Sequence, residues 1–256
     1  MIQALNKIVL IGCVHQAPNA RGRNGAVPSA LRLTVAGIPG GNDGAVGWTH
    51  PVYAMGDLAA RVAELEPGAP VLVEGGFFYS EPDKKGERPS TLRVRAIRVM
   101  RVERASEDIV RDPQGGYWLR HALNQVSLIG NATRDAAQLE RRDGSSPVLL
   151  SVALNESWRA KDGAQQRRAH FVTALCGGAQ RDLAALVKRG EAVMVAGVLH
   201  SATRADPNRP GRLVTSVQVH AATLELLQGL GPAAAATTDA VAFVPASAAQ
   251  AAHAAD

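Results

Sequence analysis

With 256 residues, 46% of them hydrophobic, the chain is long enough for two small domains and too apolar to be disordered throughout. No apolar run approaches the roughly 20 residues that a membrane helix needs, and Met1 leads into a strand pattern instead of a signal peptide, so a soluble cytoplasmic protein is expected. The formal net charge is +5 and no Lys or Arg follows Arg212, so the positive charge sits in the body of the chain and points to an anionic partner.

The first element is Leu5-Asn6-Lys7-Ile8-Val9-Leu10-Ile11-Gly12, whose alternating faces read as a strand ended by a glycine. It returns as Leu123-Asn124-Gln125-Val126-Ser127-Leu128-Ile129-Gly130, 118 positions later (123 minus 5). Further landmarks recur in the same order. His50 with Val52 matches His170 with Val172, Asp57-Leu58-Ala59 matches Asp182-Leu183-Ala184, and Val71-Leu72-Val73-Glu74-Gly75 matches Val193-Met194-Val195-Ala196-Gly197. Their offsets drift by a few residues, as loop insertions would make them, so the chain reads as two copies of one domain and not as a solenoid.

In the first copy, strands are expected near 5–15, 27–37, 46–55, 70–80 and 90–102. A short helix near 56–65 rests on Leu58, Val62 and Leu65, with Asp57 available as a cap and Pro67-Gly68 as the stop. The order β-β-β-α-β-β outlines an OB fold, a five-stranded Greek-key barrel, although periodicity alone also allows another small barrel or an open sheet. Cations gather on its loops and last strand: Arg21 and Arg23, then Lys84, Lys85 and Arg88, then Arg93 and Arg95. Residues 104–121 read as a linker with an aromatic anchor, in which Trp118 packs against a barrel.

The second copy is expected to form strands near 123–132, 146–156, 166–176, 191–201 and 212–224, with a helix near 181–189. Its cations are Arg141, Arg142, Arg159, Lys161, Arg167, Arg168, Arg204, Arg209 and Arg212. Basic hairpins on both copies can follow a phosphate backbone. The expected division is therefore domain one over 1–103, linker over 104–121, domain two over 122–227, and an Ala-rich disordered tail over 228–256.

No catalytic constellation, phosphate loop or metal-ligand spacing is present, so neither an enzyme nor a cofactor is expected; Cys13 and Cys176 read as buried thiols. Aromatics are scarce at 4%, which makes their placement informative. Trp158, flanked by Ser157 and Arg159, lacks the alternating apolar neighbours of a core tryptophan. Trp158, Tyr79 and Trp48 are the candidates for stacking on bases, whereas Phe77 and Phe171 fit a core equally well.

The Leu-Asn start, Val152 to Arg159, the His50 and His170 strands and the Val71 to Gly75 run together resemble bacterial single-stranded DNA-binding proteins, of the type with two OB folds per chain. The resemblance covers residues from about 4 to 226. It implies a non-enzymatic protein that coats single-stranded DNA in replication, repair and recombination, and a homodimer with four OB folds. It also implies base stacking at Trp158, with Trp48 and Tyr79 on or beside aromatic positions of the first fold. The chain departs from the family at Thr49, Ala169, Pro82 and Arg204, and its Ala254-Ala255-Asp256 end is not the acidic tip that recruits partners. A second reading stays open: a divergent relative without stacking surfaces that co-assembles with a main single-stranded DNA-binding protein or a recombination enzyme.

Overall fold

The structure, a computed structural model, describes residues 4–18, 29–40, 46–80, 91–141, 144–159, 163–205, 211 and 213–227. Each copy forms five long strands, because period-two alternation gives each strand one apolar face that must be buried. In the first they are β1 (Leu5–Val14), β2 (Ala30–Ile38), β3 (Trp48–Met55), β4 (Pro70–Ser80) and β5 (Thr91–Arg101), with α1 (Asp57–Ala63) between β3 and β4. Strand β1 pairs with β2, β2 with β3, β3 with β5, β5 with β4, and β4 returns to β1. That circuit closes the sheet, with the parallel β3–β5 contact as its Greek-key crossing. It is an OB fold, filled by Ile8, Leu10, Leu33, Val52, Val73 and Val94.

The second copy repeats the circuit with β8 (Leu123–Ala132), β10 (Val148–Arg159), β11 (Gln165–Cys176), β12 (Ala192–Ala205) and β13 (Leu213–Leu226). Here the parallel contact joins β11 to β13. A two-residue strand β9 (Ala137–Gln138) lies on the edge of β10.

Three local expectations change. Asp57 does not cap α1: the helix begins after Gly56, whose φ is 57°, and no side chain caps it. Residues that read as a linker fold into a hairpin of β6 (Ile109–Arg111) and β7 (Tyr117–Arg120). Strand β7 adds to β2 in parallel and buries Leu119 completely, while the Trp118 Nε1–H donates to Asp112 Oδ2 at 2.8 Å. The second helix, α2 (Arg181–Ala185), ends four residues earlier than the pattern suggested, its Ala184 buried.

The copies are joined by their common motif. Strand β1 pairs antiparallel with β8, from Leu5 opposite Ile129 to Ile11 opposite Leu123, with Ile8 facing its own counterpart Val126 at the centre. One sheet therefore runs β5-β4-β1-β8-β12-β13 through both barrels. The asparagine of each motif clamps a strand of its own barrel. Asn6 donates to the Phe77 carbonyl at 2.9 Å and accepts from the Phe77 N–H at 2.8 Å, and Asn124 does the same for Leu199 at 2.9 Å in both directions.

The matched histidines, both buried, cross between barrels. His170 of the second accepts the Tyr79 N–H at Nδ1 (3.2 Å) and donates from Nε2 to Glu156 (3.1 Å). His50 of the first reaches Ser201 through Nδ1 at 2.9 Å, and its Nε2 accepts from the Asn124 amide at 3.0 Å. Because the Asn124 oxygen is committed to Leu199, the amide cannot turn to receive a second imidazole proton. Burial, and then the charge on His200, push the His50 pKa down to about 3.

Acid should therefore loosen this joint. Above the ordinary histidine pKa of about 6.5 the neutral His50 costs nothing; below it the unfolded chain takes up a proton that the folded protein refuses, so stability falls until pH nears about 3. The slope is about 1.4 kcal/mol per pH unit, or about 2 kcal/mol at pH ~5. Urea unfolding at both pH values measures it. His50→Gln, which keeps one donor and one acceptor, should remove most of that loss.

Candidate nucleic-acid interface

Alternation along the strands sorts the side chains of the first barrel. Leu31, Leu33, Val52, Ala54, Val94 and Phe77 point into the core, which leaves Arg32, Tyr53, Arg93, Arg95 and Phe78 on the outside. Strand pairing then brings the outward set together: Arg32 lies opposite Tyr53, Tyr53 opposite Arg95, and Phe78 opposite Arg93. The Arg93 guanidinium carbon stands 4.6 Å from the centre of the Tyr53 ring, and that of Arg95 stands 5.2 Å from the centre of Phe78.

The band continues onto the second barrel. Arg168 of β11 places its guanidinium carbon 5.2 Å from the same Phe78 ring, and Arg95 forms an ion pair with Glu156 of β10 at 3.8 Å. Glu156 lies opposite Arg168 and also accepts from His170. Rings set among guanidinium groups combine a sequence-tolerant stacking surface with donors for phosphate, which is what an unpaired polynucleotide offers to be bound by.

Of the three stacking candidates, Tyr79 is half-buried at the junction of the barrels, its ring 6.5 Å from that of Phe171 at 89°. Trp48 is also half-buried. Its indole lies flat on the His50 imidazole, 4.8 Å away at 12°, and a Cβ at Gly37 would come within 2.6 Å of the ring. Its Nε1 is buried with no acceptor among the described residues. This gives Trp48 a packing role against the core. Trp158 stands in β10 opposite Gln166, and its side chain lies outside the described residues.

Arg93, Arg95 and Arg168 converge on the aromatic band. Arg159, Arg167 and Arg204 are exposed on β10, β11 and β12, and Arg141 is exposed in a turn ahead of β10. Arg21, Arg23, Lys84, Lys85, Arg88, Arg142, Lys161, Arg209 and Arg212 lie outside the described residues.

The sequence reading missed Phe78 and Tyr53. The signal for Phe78 was available: Phe77 and Tyr79 share a face, so if Phe77 is core then Phe78 faces away from it. Phe77 is indeed only 2% exposed, whereas Phe171 is 44% exposed and belongs to the surface.

Comparison with known proteins points the same way. The model of the single-strand binding protein family matches residues 123–227. The single-stranded DNA-binding protein of Thermus aquaticus is 32% identical over 205 residues, 78% of this chain and 76% of its own length. That of Deinococcus radiodurans is 32% identical over 245 residues, 91% of this chain and 79% of its own. The crystal structure of the wild-type Thermus aquaticus protein aligns with a TM-score of 0.63 at 27% identity, covering 88% of this chain and 94% of that one.

The packing role of Trp48 is measurable by urea unfolding. Trp48→Ala should cost about 3 kcal/mol, near the lower end for a large aromatic because the ring is only half-buried. Trp48→Phe should cost about 1 kcal/mol or less, since the lost contact area is partly offset by removing a buried donor without a partner.

Proposed function

The chain belongs to the single-strand binding protein family, and from that premise we propose that it binds single-stranded DNA without strong sequence preference, protecting it in replication, repair and recombination in the cytoplasm. It is not an enzyme. The observation that carries the reading is the outward band in which Arg93, Arg95 and Arg168 surround the rings of Tyr53 and Phe78. Bases stack on Phe78, Tyr79 and Trp158, and the sugar-phosphate chain follows the arginines from one barrel to the other.

The working assembly is a homodimer carrying four OB folds. Supporting it, the outer face of the joined sheet carries apolar side chains around the central Lys7 and Gln125: Val9, Ile11, Leu72, Ile129 and Met194 are only half-buried there, and Val198 is 44% exposed. A second copy of the same face would cover them isologously. Sedimentation should give about twice the 26.8 kDa of one chain, and Val9→Glu should shift it to one chain. A single-chain mass for the unchanged protein would remove the dimer and leave the DNA reading standing.

Titration with oligo-dT should quench tryptophan emission, with an affinity that falls steeply as salt rises. Phe78→Ala should weaken binding by about 1–3 kcal/mol, and Arg168→Ala should lower the salt slope by about 0.7. Absence of binding at low salt, with the fold intact by circular dichroism, rejects the reading.

A further inference from the structure

The strand registers of the two barrels allow residue-by-residue comparison of their outer faces. Gly75 of β4 and Gly197 of β12 both sit at a bulge, where a Cβ would collide with a carbonyl oxygen of the neighbouring strand: that of Arg95 in the first barrel and that of His220 in the second. Arg95 and His220 thus occupy one place. Three residues beyond each glycine come Phe78 and His200, opposed by Arg93 and Gln218. Where the first barrel carries a phenyl ring under a guanidinium, the second carries two imidazoles stacked face to face, 4.5 Å apart at 14°.

The replacement changes the charge and not only the shape. Arginine is always protonated, whereas a histidine pair is cationic only when it has taken up a proton. Gln218 Nε2 donates to His220 Nε2 at 3.1 Å, so that nitrogen is unprotonated in this arrangement. Burial, then His200, then Arg141 hold the His220 pKa below its ordinary value. Among the described residues, the titratable and charged groups acting on the pair are His50 of β3 and Arg141 ahead of β10, and His50 takes no proton until about pH 3. His200 is exposed and His220 half-buried, so a ligand can reach them.

Resting on the single-strand reading above, we propose that the stacked His200 and His220 form the nucleotide-binding platform of the second barrel, and that it takes up a proton when a phosphodiester docks beside it. The proton comes from solvent and forms an N–H bond on one imidazole; no other bond changes. The phosphate supplies the negative charge that favours the imidazolium, and a flip of the Gln218 amide turns its oxygen toward the new N–H. A base can stack on the exposed His200 ring. In the first barrel the cationic side chains that meet the ring of Phe78 are those of Arg95 and Arg168, whose guanidinium charges are fixed at any pH near neutrality.

The test is titration of the full chain with oligo-dT at constant ionic strength between pH ~6 and ~8, a range in which thymidylate itself does not ionise. Calorimetry in buffers of different ionisation enthalpy counts the protons taken up. Affinity should rise several-fold toward the lower pH with net proton uptake, and the doubly substituted His200→Gln, His220→Gln protein should lose both. A second variant, His200→Phe with His220→Arg, installs the first barrel's pair; it should bind at pH ~8 as tightly as the unchanged protein does at pH ~6, with no pH dependence. A pH-independent affinity in the unchanged protein, proton uptake that survives in the glutamine variant, or a phenylalanine-arginine variant that binds no tighter would each overturn the proposal. Failure of every protein to bind at any pH would instead bring down the single-strand reading on which it rests.

Discussion

Strand β1 lies antiparallel against β8 with Ile8 opposite Val126, and since those residues are each other's counterparts in the duplicated motif, the pairing maps onto itself under a twofold rotation. Both residues are fully buried, as are Leu10 and Leu128. A slip of one residue would turn this set out of both cores, so hydrophobic burial fixes the register between the copies as firmly as within them. Two small cores that could tumble on a tether are held instead by one continuous sheet.

From that constraint follow the contacts that cross the joint. A twofold brings the third strand of each barrel against the fourth strand of the other, which is why His50 meets Ser201 while His170 meets the Tyr79 backbone. It also carries Arg168 over Phe78 and Glu156 to Arg95. The aromatic band spans both copies because their pairing leaves no gap between β4 and β11. Stability and binding surface thus share one joint, and neutral His50 is part of what holds it.

The duplication was legible because an eight-residue strand motif and its downstream landmarks recur in order, and the strands because alternation is a local property. Pairing between the copies was not, since a strand's second edge is assigned only when the whole sheet is assembled. Trp48 illustrates the limit: Gly47 and Thr49 flank it as they would a surface residue, yet the space for its ring is opened by Gly12 and Gly37, the first of them far away in the chain. The hairpin of β6 and β7 was hidden in the same way. Its sequence is charged and interrupted by glycines, and only the exposed edge of β2 gives Leu119 somewhere to be buried.

The clamping asparagines explain why the two platforms differ in chemistry and not in placement. Asn6 fixes both backbone groups of Phe77, and the next residue is Phe78; Asn124 fixes both backbone groups of Leu199, and the next is His200. Each platform residue is thereby held one position beyond a strand segment whose hydrogen bonds are fully met, in a barrel whose bulge glycine lies at the matching place. Substitution at these outward positions leaves cores, bulges and clamps untouched, so one barrel can carry a fixed charge and the other a titratable one at little cost in stability. Because the sheet holds both at a set distance, a long strand bound by the two proposed platforms would make its second contact intramolecularly once the first had formed, and a weaker platform would still add to the total.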